Sequence, residues 1–137
     1  MDITLKSPSE IEKLRIVGAA TARVLEMIEP YVVPGVTTEE LDNIMNEYIQ
    51  TKENAVSADL GYQGYPKATC ISVNEVVCHG IPGPHKLREG DIVNIDVTVL
   101  KDKYYGDSSR MYIVGRTSPR NEQLCKCAQE AMYAAIR

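Results

Sequence analysis

The chain has 137 residues, 25% of them charged and 44% apolar, with a formal net charge of −4. That length suits one domain or a piece of one, with a real core. The two signs of charge are interspersed with no Lys/Arg block, which excludes a strongly basic surface for nucleic acid or anionic membrane.

No charged leader precedes a long apolar stretch at the N-terminus, and no apolar run is long enough to span a bilayer. The four cysteines, Cys70, Cys78, Cys125 and Cys127, lack CxxC spacing and read as cytosolic thiols.

The first predicted element is a helix over 7–29. Ser7-Pro8-Ser9-Glu10 offers an N-cap Ser, a first-turn Pro and a Glu three residues after the cap. Ile11, Leu14, Val17, Gly18, Thr21, Leu25 and Ile28 follow at spacings of three and four and define one apolar stripe. Pro30 and Pro34-Gly35 end it. Thr37 to Glu40 repeats the capping box, and Leu41, Ile44, Met45, Tyr48 and Ile49 stripe a second helix over 38–50.

A sheet is predicted over 55–114. Gly61-Tyr62-Gln63-Gly64-Tyr65-Pro66 reads as a loop, and 69–73 and 76–78 as short strands. Residues 81–88 form a Pro-rich loop with an exposed His85. The β-branched run 91–100 pairs with 104–114 as a hairpin, with Lys101-Asp102-Lys103 at the turn. Ser118-Pro119 then opens a third helix, striped by Leu124, Cys127, Ala128 and Ala131. Nothing caps it before Arg137, so truncation is expected. Ser7, Pro8, Glu12 and Leu14 are faintly echoed by Ser118, Pro119, Glu122 and Leu124, as in a repeat that begins again. The expected division is 1–117 and 118–137.

Asp96 and Asp107 are the first candidates for chemistry. A carboxylate within Val93-Asn94-Ile95-Asp96-Val97-Thr98-Val99 is costly to bury unless paired or cation-bound. An even-numbered turn such as Asp102-Lys103 puts both acids on one face at neighbouring rungs. They then repel unless a metal lies between them or one is protonated. The plainer reading is two acids satisfied separately by backbone amides or basic side chains. His79 is expected at the end of a strand, where its near-neutral titration suits proton transfer, although a lone His is more often structural. Tyr62, Tyr65 and Cys70 could line an apolar pocket or simply pack in the core.

The runs Gly61-Tyr62-Gln63-Gly64-Tyr65-Pro66-Lys67, Asn74-Glu75-Val76-Val77-Cys78-His79-Gly80-Ile81-Pro82, Gly90-Asp91-Ile92-Val93-Asn94-Ile95-Asp96 and Tyr105-Gly106-Asp107-Ser108-Ser109 strongly resemble type I methionine aminopeptidases, in order along the whole chain. The resemblance implies an α+β chain, half of a pita-bread fold, with helices packed on an antiparallel sheet. It implies removal of the initiator Met from nascent proteins by a metal-bound hydroxide, with two divalent ions (Co, Mn, Fe(II) or Zn) in a complete site. By it, Asp96 and Asp107 match metal ligands, and His79 matches the catalytic histidine that also hydrogen-bonds the substrate amide. Tyr62, Tyr65 and Cys70 match the methionine pocket, and Asn74 and Val76 match backbone ligands of a monovalent cation. The remaining ligands, one His and two Glu, belong to a second half, so the chain alone is expected to be inactive or weakly active. Asp59 and Gln63 depart from the family pattern. Prolidases and creatinases share the spacing of the two acids, but the strings around His79 favour the methionine family. The competing expectation is a non-catalytic half-domain that binds peptide or metal, as a homodimer. The resemblance places the chain in the cytoplasm.

Overall fold

The computed structural model describes residues 3–137; the first two residues of the predicted 1–117 segment lie outside it. Helix α1 spans Pro8–Ile28 and α2 spans Thr38–Thr51. Both expected capping boxes form: Ser7 with Glu10, and Thr37 with Glu40. Each satisfies backbone amides that the first helical turn leaves without partners. A short 3₁₀ turn, Glu29–Tyr31, takes up Pro30 after α1.

Strands β1 (Val56–Ser57), β2 (Cys70–Val73), β3 (Ile92–Lys101) and β4 (Tyr104–Ile113) form one antiparallel sheet. β3 is its centre. β4 runs along one side, and β1 and β2 share the other, β1 against Val99 and Leu100 and β2 against Val93 to Asp96. Helix α3 spans Pro119–Ile136, with Ser118 accepting from the Asn121 amide at 3.2 Å.

The alternation along β3 fixes where the core lies. Val93, Ile95, Val97 and Val99 are buried under the helices, and Asn94, Asp96 and Thr98 turn to the other face. Val17, Val24, Ile28, Leu41, Met45 and Ile49 supply the helical side of that core. The predicted α1 stripe is buried at Val17, Thr21, Leu25 and Ile28 and is widened by Ala20 and Val24, while Ile11 and Gly18 are exposed. The reason is the line of approach to β4. An added Cβ at Gly106 would lie 2.6 Å from Thr21 Oγ1 and 2.7 Å from the Val17 carbonyl oxygen, so α1 rests directly on β4 backbone there.

The expected strand at 76–78 does not form. Asn74 adopts φ 52°, the Val76 amide donates to the Val73 carbonyl, and the chain turns away from the sheet after β2. Val77 is left 94% exposed. A β-branched composition favours strand only where a pairing edge is available. His79 therefore sits in a loop, at φ 54°, and not at a strand end.

Candidate active site

The turn between β3 and β4 decides how the acids meet. Asp102 and Lys103 both have positive φ, 50° and 72°. A two-residue turn of this kind matches the twist of a hairpin. It sets Thr98 opposite Asp107 and Asp96 opposite Ser109. Asp96 and Thr98 share a face, so Asp96 and Asp107 are diagonal neighbours on it. Asp96 is half-buried and Asp107 exposed, on the side of the sheet away from α1 and α2.

Asp59 joins this pair. β1 ends at Ser57 and β2 begins at Cys70, leaving a gap along β3. The Ala58 amide donates to the Thr98 carbonyl at 2.9 Å, and the Asp59 carboxylate accepts from the Thr98 amide at 3.4 Å. The side chain thus stands in for a missing stretch of strand. Burial, then Asp107, then Asp59 hold the Asp96 carboxyl above the ordinary carboxylate range, with His79 opposing. Burial likewise raises Asp59 against its Thr98 hydrogen bonds, and Asp107 adds to the rise. In the sequence, Asp59 stands out only as a departure from the family pattern. A two-residue strand gives too little periodicity to place it.

The two aromatics of the 61–66 loop separate. Tyr65 turns inward, its hydroxyl shared between the Thr69 carbonyl at 3.0 Å and the Gly80 carbonyl at 3.2 Å. Burial raises both the Tyr65 phenol and the buried Cys70 thiol, which adjoin each other. Tyr62 points outward, 67% exposed, because Gln63 at φ 47° turns the loop between them. Tyr62 lines a cleft of about 450 Å³ with Asp59, Leu60, Thr98, Leu100 and Tyr105. Asn74 and Val76 lie in the turn after β2. The Asn74 side chain there donates to Asp91 at 2.9 Å and accepts from the Ile92 amide at 3.1 Å.

The donor chemistry fits a hard divalent ion in part. Carboxylates that repel one another on an open face are the usual partners of such an ion. Among the described residues, no group of three or more His, Cys, Asp or Glu side chains is arranged to hold a metal ion.

Helices on one face of an antiparallel sheet, with carboxylates gathered on the other, define one half of a pita-bread fold. The prolidase of Pyrococcus horikoshii shares it at a TM-score of 0.78 over 96% of this chain, with 20% identity, a likeness of fold alone. The sequence profile of metallopeptidase family M24 matches residues 12–137, and the chain belongs to that family. The methionine aminopeptidase of Escherichia coli K12 is 59% identical over all of this chain and 52% of its own length. The crystal structure of methionine aminopeptidase from Rickettsia prowazekii matches with a TM-score of 0.94 and 43% identity, covering 96% of this chain and 53% of that one. That from Thermotoga maritima matches at 0.92 and 41%, covering 98% of this chain and 54% of that one. The chain spans about half the length of the curated relatives it matches.

Proposed function

We propose that this chain supplies one half of a methionine aminopeptidase site, with N-terminal Met peptides as substrate. The observation that carries the reading is the placement of Asp96 and Asp107 on one open face. In this reading the two acids hold divalent metal, of the Co, Mn, Fe(II) or Zn type. When bound, such an ion polarises the scissile carbonyl and supplies hydroxide at neutral pH. His79, exposed and close enough to Asp96 to oppose its rise, hydrogen-bonds the substrate amide. Tyr65 and Cys70 border the pocket for the Met side chain, with Tyr62 at its outer rim. The carbonyls of Asn74 and Val76 bind a monovalent cation. The free thiols of all four cysteines suit a cytoplasmic setting.

Hydrolysis of a Met-Ala-Ser peptide with added Co or Mn tests the proposal, with the Escherichia coli relative run in parallel. Metal-dependent release of Met, or its appearance only when the rest of the family's ligand set is supplied, supports it. No release under either condition refutes it.

A second reading has its own observation. The outer edge of β4 has no strand partner among the described residues, and Tyr105, Met111 and Ile113 are exposed on it. Unpaired edges with apolar side chains drive association. In that reading a homodimer pairs at this edge and binds metal or peptide without hydrolysis. Nucleic acid and membrane have no part in either reading. No described helix is long and apolar enough to cross a bilayer.

A further inference from the structure

We propose that Asp42 is a positioning residue for His79, acting from helix α2 through Thr69 and Tyr65. The inference rests on the reading of His79 as the group that meets substrate. Asp42 is buried, and its Oδ1 accepts three hydrogen bonds: from the Ala68 amide at 3.1 Å, the Thr69 amide at 2.8 Å and Thr69 Oγ1 at 2.8 Å. A buried carboxylate is retained only where such donors replace water. Here they tie the segment before β2 to the helix.

That segment in turn holds the histidine loop. The Thr69 carbonyl accepts from Tyr65 Oη, which also reaches the Gly80 carbonyl. Gly80 follows His79 directly. The Ile71 amide donates to the Gly80 carbonyl at 2.8 Å, and the Gly80 amide donates to Ser72 Oγ at 3.1 Å. An added Cβ at Gly80 would lie 2.2 Å from the Ile71 carbonyl oxygen, so the loop is pressed against β2 with no slack.

The far end of the loop is held from the same helix. Thr38, one turn before Asp42, is also buried. Thr38 Oγ1 donates to the Gly83 carbonyl at 3.0 Å and accepts from the Gly83 amide at 2.9 Å. One face of α2 therefore anchors Gly83 directly and Gly80 indirectly, leaving His79 at φ 54° at the edge of a clamped span. A left-handed non-glycine residue persists only when its surroundings over-determine it.

The chain has only two histidines, His79 and His85, so their imidazole resonances can be followed separately in the intact protein. In Asp42→Ala, the His79 ring signals should shift or split while those of His85 stay in place. Amide exchange at Ile71 and Gly80 should quicken at least tenfold, with the β3 amides from Val93 to Val99 unchanged. Asp42→Asn keeps an acceptor oxygen and should restore most of the wild-type His79 spectrum, which a general loss of stability would not allow. Tyr65→Phe removes only the hydroxyl and should move His79 in the same direction as Asp42→Ala; should Asp42→Ala fail to fold, this variant decides alone. An unchanged His79 spectrum in Tyr65→Phe, or equal movement of both histidines, overturns the proposal. None of these measurements uses substrate, so a failure to release Met even with the rest of the ligand set supplied would count against the proposed function and leave the positioning result standing.

Discussion

Asp96 and Asp107 lie on one face of the β3–β4 hairpin, offset by a single rung because Thr98, and not Asp96, stands opposite Asp107. In the proposed site this offset would let both carboxylates reach one ion, whose charge would relieve their mutual repulsion.

Calorimetric titration with Mn should show weak binding, with a Kd on the order of 10⁻⁴ M or higher, since two or three carboxylates leave most coordination positions to water. Asp96→Ala and Asp107→Ala should each abolish the heat. Equal heats in the wild type and both variants would rule out the acid pair as the ion's seat.

The same group makes a prediction about pH. Asp59 and Asp96 are both raised in the folded chain. The folded state then holds their protons to higher pH than the unfolded state does. Stability from these two groups is greatest below the ordinary carboxylate pKa and falls as pH rises from there through the raised values. Glu53, lowered first by its hydrogen bond to Arg23, works the other way and loses its contribution as pH falls. Urea unfolding between pH 4 and 7 should therefore show a smaller fall with rising pH in Asp59→Asn than in the wild type. The Asn oxygen can still accept from the Thr98 amide, so that bond is not the variable. Parallel profiles would mean that folding, through burial first and Asp107 second, does not raise the Asp59 carboxyl.

The shared face of Asp96 and Asp107 is legible in the sequence and other features are not, for reasons that differ by residue. The acid pair followed from strand alternation and an even turn, both local rules that Asp102-Lys103 obeys. Helices α1 and α2 follow from their capping boxes, and α3 from its N-cap Ser118 and first-turn Pro119. The 76–78 segment failed because Val76 and Val77 carry strand-like side chains where the Asn74 turn has already led the chain off the sheet. Asp59 and Asp42 were beyond local rules. The first acts through a gap between two strands that both pair with β3, and the second reaches donors 26 and 27 residues away.

Self-association distinguishes the two functional readings. If the β4 edge pairs with a second copy, light scattering at micromolar concentration should give twice the 15.2 kDa chain mass. Met111→Lys, which places a charge on that exposed edge strand, should return the chain to monomer without loss of helix signal. Acids from two copies meeting across the axis would favour Mn, Mg or Ca over softer ions. A monomer at all concentrations removes the dimer reading.

The last prediction ties packing to the site. Gly106 precedes Asp107, and Thr21 Oγ1 donates to the Gly106 carbonyl at 2.9 Å. An alanine Cβ at 106 would meet the Val17 carbonyl, which belongs to the α1 backbone and cannot swing aside as a flexible side chain would. The helix must lift from β4, or β4 must bend. Gly106→Ala should cost about 1–3 kcal/mol in urea unfolding, the usual range for overpacking a tight contact. Thr21→Val, which loses the hydrogen bond but keeps the shape, should cost about 1 kcal/mol. Because β4 carries Asp107, Gly106→Ala should also weaken Mn binding, whereas Thr21→Val should leave it nearly unchanged. A Gly106→Ala chain with wild-type stability and wild-type Mn affinity would show that the contact between α1 and β4 can relax, and that it does not set the position of Asp107.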